Sequence, residues 1–567
     1  MIKTFLKLKS ILLREEKRKL LFFSFFITLL SLLEIVTLII SFSVLSILFS
    51  DRSDTPATVT FEVFSRLGTT DLVLILLGVT TLKFVSSFPI HFYEAKLKTQ
   101  ISTRLSTKLF TYYLHFPYID FISSEKAALL RNIQDTHYVV VRSILTPLMF
   151  MAESLLLIGF IVLLFITTPT YSLAGVATIG LVGLTFSKLT SAKASNYGDA
   201  HNKFSKFSSI NTQEGLNSGA EVRMLNTQEY FVDKFSKACF SRLKALSTKE
   251  ILDNISPKGL EFILIAGISL TILIVESLND SSSNTLQILS IVFLGALRTV
   301  PSVGKLNQYL GTMRFGSAAA LDLANELSHE ILIKQSEMPE SKLSRNSDLY
   351  LQSVNFGYPN MNNRLILKDF NAVFKFGEIT AIVGPNGAGK TSLINLLTGL
   401  FEPQSGEIFL KDENISSNSP DWKNNIGFVS QDSSLINSTI FENVVFGRSG
   451  ISDLEIKVNK ALITAGLSSF TNGLTLGQSY LIGENGNKLS GGERQKLGIA
   501  RAILLNPSIL IFDELSNFLD NLSVDETIKI LESFREKHTV ILVTHDKRLL
   551  AIADQVIEIR RESTVLL

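Results

Sequence analysis

Six stretches in the first 310 or so residues are apolar for about twenty to thirty positions each; beyond them come short apolar runs broken by glycine and polar turns. The long stretches lie near residues 20–49, 69–92, 138–166, 170–190, 257–278 and 284–312. At about 1.5 Å per residue, each is long enough to cross a hydrocarbon layer of about 30 Å as a helix. The stretch at 170–190, rich in Gly and Thr, carries the weakest pattern. Two connections, 93–137 and 191–256, keep a helical period and are longer than a simple six-span protein needs. The polar stretch 322–348, rich in Glu, Ser and Lys, reads as a linker. Strand-like alternation begins at Ser353-Val354-Asn355-Phe356-Gly357-Tyr358-Pro359. The expected fold class is an all-α membrane domain of six helices at 1–321, followed by an α/β domain at 349–567.

Charge orients the spans. Ahead of the first lie Lys3, Lys7, Lys9, Arg14, Lys17, Arg18 and Lys19, and bases recur in both long connections. The intervening loops are poor in base: 167–170 and 277–284 have none, and 50–68 has only Arg52 and Arg66. Positive residues stay in the cytoplasm, so both termini and the α/β domain are expected there. A formal net charge of +2 is too small to argue for nucleic acid. The single cysteine, Cys239, permits no intrachain disulfide.

Chemistry enters at Glu378 to Ser392, where an Ile/Val strand breaks into Gly384-Pro385-Asn386-Gly387-Ala388-Gly389-Lys390-Thr391-Ser392. Such a glycine-rich loop turns its N–H groups onto a polyphosphate, its Lys supplies charge to the β/γ phosphates, and its Thr hydroxyl is the usual Mg²⁺ ligand. A P-loop ATPase using ATP and Mg²⁺ is the reading. About a hundred residues later come Leu489-Ser490-Gly491-Gly492-Glu493, the strand Ile509 to Phe512 ending in Asp513-Glu514, and the strand Val540 to Val543 delivering Thr544-His545-Asp546. In that order these motifs resemble the ATP-binding cassette (ABC) family over residues 349–567.

The resemblance implies roles. Asp513, Thr391 and Gln431, in Phe428-Val429-Ser430-Gln431-Asp432, would serve the metal. Glu514 would be the general base and His545 the γ-phosphate switch. Tyr358 would stack on adenine, with a core tyrosine as the alternative. Ser490, Gly491, Gly492 and Glu493 would reach the nucleotide of a second cassette, so one cassette per chain implies a homodimer. In exporters of this type, spans two to five run on into the cytoplasm and end in short coupling helices, for which Tyr118 to Lys126 and Gln213 to Arg223 are candidates. Ile482-Gly483-Glu484-Asn485-Gly486 resembles the loop that senses them. One departure stands out: Asn517 and Phe518 occupy positions where relatives commonly have small residues, which affects how cassettes communicate.

Charged residues inside apolar spans are costly and mark function by default. Glu34, Lys83, Glu153, Arg298 and Lys305 qualify. Pairing between helices is at least as good a reading for Glu34 and Glu153, while Lys83, Arg298 and Lys305 suit an anionic headgroup. The segment Arg298-Thr299-Val300-Pro301-Ser302 resembles one in bacterial flippases for lipid-linked oligosaccharides, over about twenty residues. Val59 to Leu67 resembles their short external helix or is a plain loop. The function expected is an ATP-driven flippase for a polyprenyl-diphosphate-linked glycan or another anionic lipid. Export of a drug, a lipid-A-type lipid or a peptide is the alternative, and a regulatory ATPase gating a partner protein is a second.

Overall fold

The computed structural model describes residues 7–49 except 9, 68–167, 196–277, 301–328, 346–359, 364–414 except 412, 420–516 and 520–560. The chain divides into two units, Met1–Phe116 with Ser123–Leu332, and Pro117–Ile122 with Ile333–Leu567.

The first unit is helical. It contains α1 (Arg14–Phe49) and α2 (Thr69–Leu114), the latter a single helix of 46 residues. At about 1.5 Å per residue α2 is about 70 Å long, so the apolar run at 69–92 and the polar stretch after it are one rod. The short α3 (Tyr118–Ser123) falls mostly in the second unit. Then α4 (Lys126–Val140) passes through a π turn at Val141–Leu145 into α5 (Thr146–Thr167). Pro147 explains the turn: it brings no N–H and crowds the preceding carbonyls, so the ladder widens by one residue. The Thr146 hydroxyl donates to Val141 O at 2.8 Å inside the widened turn. Next come α6 (196–217), α7 (Gly219–Met224), α8 (Gln228–Ser277, 50 residues), α9 (301–315) and α10 (Ser317–Ser328).

Three described segments, Arg14–Ser41, Thr69–Leu114 and Lys126–Leu163, have the length and hydropathy to cross a membrane. In the most apolar window of the second, only 6% of residues are buried within the chain. Phe84, Phe88 and Phe92 stand exposed there, an apolar surface suited to lipid and not to water. The expected span at 170–190, most of that at 284–312 and the segment Val59 to Leu67 lie outside the described residues.

The structure differs from the sequence reading at the linker. Residues 322–328, read as linker, are the last two turns of α10. Asp322 and Ser328 are exposed and Glu326 accepts from Tyr113 of α2 and Asn132 of α4, while Ala320, Leu323, Ala324 and Leu327 recur at helical spacing and are buried with Leu105 and Leu109 of α2 and Val140 of α4. Overall polarity hid a narrow apolar stripe.

The second unit has two sheets. One, antiparallel, has the order β2 (Leu367–Phe374), β1 (Leu349–Phe356), β4 (Ser405–Leu410), β5 (Glu413–Asn414). The other has the order β6 (Ile426–Val429), β7 (Ile509–Asp513), β8 (Thr539–Val543), β3 (Ile379–Val383), β9 (Gln555–Glu558), and every pairing in it is parallel. Near-continuous apolar runs such as Thr539–Val543, buried at every residue, are what a parallel sheet covered on both faces requires. The covering helices include α11 (Lys390–Leu397), α12 (Ile440–Val445), α13 (Leu454–Thr464), α14 (Gly491–Ile503), α15 (Asn521–Glu532) and α16 (Lys547–Ala551). Parallel register aligns the carboxyl ends of β6, β7, β8 and β3: Val429 lies opposite Phe512, Asp513 opposite Val543, and Ile382 opposite Val543.

Candidate nucleotide site

Ligand sites in open α/β sheets form just past the carboxyl ends of the strands. Here four neighbouring strand ends deliver the residues that the sequence singles out. After β3 comes the glycine loop. Gly384 has φ +156°, and a Cβ there would sit 2.5 Å from Ile559 O, so only glycine fits between β3 and the chain leaving β9. Gly389, with φ +106°, caps α11, and a Cβ there would meet Ile366 Cγ2 at 2.8 Å. Pro385, Asn386 and Gly387 form the exposed rim and Ala388 is buried beneath them.

Lys390 is 8% exposed and its ammonium donates to Gly384 O at 2.7 Å. The same Nζ lies 3.1 Å from His545 Nε2, joining the ends of β3 and β8. Thr391 is exposed and Ser392 buried. Asp513 ends β7. Burial, then the neighbouring Glu514, push its carboxyl up to about 6 against the opposing pull of Lys390. A carboxylate held in that setting gains from a cation, so the site's donor set fits Mg²⁺. Glu514 sits at φ +51°, its N–H donating to Val543 O at 2.9 Å. This left-handed backbone, costly for any residue with a Cβ, is held by the sheet, and the side chain meets Gln431, whose Nε2 donates to Glu514 Oε2 at 3.0 Å. Gln431 follows β6, so three strand ends meet in that bond and its surroundings.

Tyr358 is half-buried. Its hydroxyl is 3.3 Å from Ser392 Oγ, and its ring meets Phe356 and Phe401 edge-on, at 5.4 and 5.7 Å. Tyr118 of α3 lies against the same Phe401, 6.0 Å away, and Ile119 packs on the neighbouring core. Tyr358 thus joins an aromatic group while lying beside the phosphate-loop helix.

Ser490 caps α14 in a reciprocal box: its hydroxyl accepts from Glu493 N at 3.3 Å, and Glu493 Oε2 accepts from Ser490 N at 2.7 Å. Gly491 and Gly492 form the first turn. A cavity of about 350 Å³ lies between this turn and the loop after β6, lined by Gln431, Leu435, Asn485, Gly491, Arg494 and Gln495. Asn485, in the turn Ile482 to Gly486, stands at φ 50°.

Sequence reasoning missed Arg501 and Asn443. Arg501, near the end of α14, donates to Asn443 O and Ser434 O, both at 2.8 Å, and lies 4.1 Å over the Phe446 ring. Burial, then Arg448, push its guanidinium down to about 10. Asn443, fully buried, bonds Ile436 N and O in turn. These two residues tie α14 to the loop carrying Gln431. The available signal was a buried-pattern Arg within Ile499-Ala500-Arg501-Ala502.

In the first unit, Lys83 pairs with Glu34 at 2.8 Å and Lys305 with Glu153 at 3.5 Å. Lys83, expected to face a headgroup, is thus neutralised across α1 and α2. Arg298, Asn517 and Phe518 lie outside the described residues.

The ABC transporter family pattern matches residues 367–517. Over 488 residues the chain is 26% identical to an ATP-dependent lipid A-core flippase of Ralstonia nicotianae, covering 85% of this chain and 81% of that protein. A protein of the same description from Cupriavidus metallidurans is 26% identical over 493 residues, with the same coverage. A solved structure of a bacterial Atm1-family ABC exporter with ATP bound superposes with a TM-score of 0.75 at 19% identity, covering 96% of this chain and 94% of that one.

Proposed function

The chain is an ABC exporter, a multi-pass membrane protein with its membrane and ATPase domains fused, and from that premise we propose that two copies form a flippase for a phosphorylated lipid. The observation that carries the ATPase half is the convergence of Lys390, Asp513, Glu514, Gln431 and His545 at four adjacent strand ends. Thr391, Asp513 and Gln431 would hold Mg²⁺, which would supply charge that neutralises the phosphates. The N–H groups of the Gly384 to Ser392 loop and the Lys390 ammonium cradle the phosphates. Glu514 takes the proton of the attacking water, oriented by its bond from Gln431, and His545 reads the γ-phosphate from the neighbouring strand. Tyr358 supports the adenine. The Ser490-Gly491-Gly492 turn, with Glu493 holding its shape, serves the partner's nucleotide, making two equivalent composite sites in a homodimer.

The named lipid flippases among the relatives, matched over four-fifths of their length, support a lipid cargo. Lys305, 47% exposed within a helix of the membrane unit, supports a negatively charged headgroup, and Arg298 belongs with it on sequence grounds. The short Arg298 to Ser302 resemblance favours a polyprenyl-diphosphate-linked glycan in a bacterial cytoplasmic membrane. The test is transfer of a fluorescent lipid-linked oligosaccharide across reconstituted vesicles. ATP-dependent transfer in the wild type, absent in Glu514→Gln and strongly reduced in Arg298→Ala, supports the reading. Unaffected transfer in Arg298→Ala overturns the headgroup assignment, and hydrolysis with no lipid moved favours a regulatory ATPase.

A further inference from the structure

The two ion pairs of the membrane unit are not alike. Between α1 and α2, Glu34 and Lys83 close to 2.8 Å, and their side chains are 15% and 32% exposed. Between α5 and α9, Glu153 and Lys305 stand 3.5 Å apart. Here the asymmetry is marked: the Glu153 side chain is 11% exposed and that of Lys305 is 47% exposed. Only Oε2 of Glu153 meets the lysine; Oε1 is buried and has no hydrogen-bond partner among the described residues. Glu153 is also near enough to Lys83 and Tyr309 to act on both electrostatically. Among the described residues, Glu34, Lys83, Glu153 and Lys305 thus bring opposite charges from four helices near one another, and Lys305 is the most exposed of them.

The pairing of Glu153 ranks the ligands. A purely anionic headgroup drawing Lys305 to itself takes from Glu153 its one direct partner among the described residues, so it gains less there than a headgroup that also brings a donor. A headgroup carrying a phosphate and an ammonium together avoids that penalty. Its phosphate takes Lys305, and its ammonium takes the idle oxygen of Glu153, keeping every charge paired. A buried acceptor lacking a donor also discriminates against ligands that cannot supply one.

Resting on the phosphorylated-lipid reading above, we infer that the Glu153–Lys305 pair selects a zwitterionic headgroup, one that carries a primary amine close to its phosphate. Glu153 is then a specificity residue and Lys305 its cationic counterpart.

The experiment uses the full-length protein in phosphatidylcholine vesicles doped separately with phosphatidylethanolamine, N-acetyl-phosphatidylethanolamine and phosphatidylglycerol, all with the same acyl chains. ATP hydrolysis and ATP-dependent headgroup transfer are read in each. The expected result is a roughly tenfold preference of the wild type for the free amine, the size of one charge-assisted hydrogen bond. Glu153→Gln is expected to erase that preference, with the N-acetyl and glycerol lipids now handled as well as the ethanolamine lipid. Equal handling of all three by the wild type overturns the amine inference and leaves the phosphorylated-lipid reading standing. Transfer of none of them by a hydrolysing enzyme, together with no transfer of the lipid-linked oligosaccharide, overturns both. Because the wild-type comparison needs no variant, misfolding of Glu153→Gln does not shelter the proposal.

Discussion

The nucleotide unit and the membrane unit place their charged groups by opposite means. In the first, Gln431, Asp513, Glu514 and His545 each fall within two residues of the end of a strand, so their positions are set by backbone register: Asp513 lies opposite Val543, two residues before His545. In the second, charges sit within long helices and find partners on other helices, Glu34 with Lys83 49 positions away and Glu153 with Lys305 152 positions away. One unit is organised by local chain geometry and the other by packing. Substitutions should therefore act on chemistry in the first and on assembly or selectivity in the second.

The largest effect expected is in Glu514→Gln. With its partner Gln431 and the φ +51° backbone unchanged in kind, removing the base should lower Mg²⁺-dependent phosphate release by about 10³-fold while nucleotide still binds. Retained hydrolysis would erase the contrast between the units. Next is Lys83→Ala, which removes the ammonium 2.8 Å from Glu34 Oε1. A loss of about 1 kcal/mol is expected, read as a lowered thermal midpoint in micelles. Lys83→Arg, which keeps the charge, should restore most of it. If Lys83→Ala instead spares stability and abolishes transport, Lys83 belongs to the cargo site after all.

This division explains what could be read in the sequence. The glycine loop, the Asp513-Glu514 step and His545 were legible because strand, turn and helix are consecutive in the chain. Long apolar runs announced α1, α2 and α5 for the same reason. The Lys83 partner was not legible, because nothing local separates a cation facing cargo from one facing Glu34. Nor was the packed end of α10, where Asp322, Asn325, Glu326 and Ser328 alternate with the buried apolar residues that fix it. Arg501 escaped because its bonds to Asn443 and Ser434 cross 58 and 67 positions.

A smaller, graded effect comes from pH. The Asp513 carboxyl titrates at about 6 instead of its ordinary 3.8, chiefly through burial. Its folded value is raised, so the stability this group contributes is fully present below about 3.8 and is lost as pH rises through about 6. Metal binding has the opposite slope, because the ligand is the ionised form. Below pH 6, Mg²⁺ affinity in the presence of nucleotide should fall by up to about tenfold per unit of pH. In Asp513→Asn that slope should flatten, and calorimetric titration of Mg²⁺ at pH 5, 6 and 7.5 distinguishes the two. An unchanged slope would mean that Asp513 is not the titrating ligand, and that burial at this strand end is structural, as it is at Glu34.

The smallest effect tests whether a residue at the edge of the nucleotide unit obeys the local rule or the packing rule. Among the described residues, Tyr358 has one polar contact, 3.3 Å to Ser392 Oγ, and two edge-on aromatic neighbours. If its face supports adenine, Tyr358→Phe keeps the ring and loses at most one weak hydrogen bond, about 0.5–1 kcal/mol, so ATP affinity should change by less than about fivefold. Tyr358→Leu then removes the flat surface and should weaken ATP further, by about 1 kcal/mol or more, without a matching loss for inorganic triphosphate, which has no base to stack. If the ring instead serves the aromatic group with Phe356, Phe401 and Tyr118, Tyr358→Leu lowers the thermal midpoint and affects both ligands equally. Paired titrations of ATP and triphosphate separate these outcomes, because only stacking on adenine makes the two ligands differ.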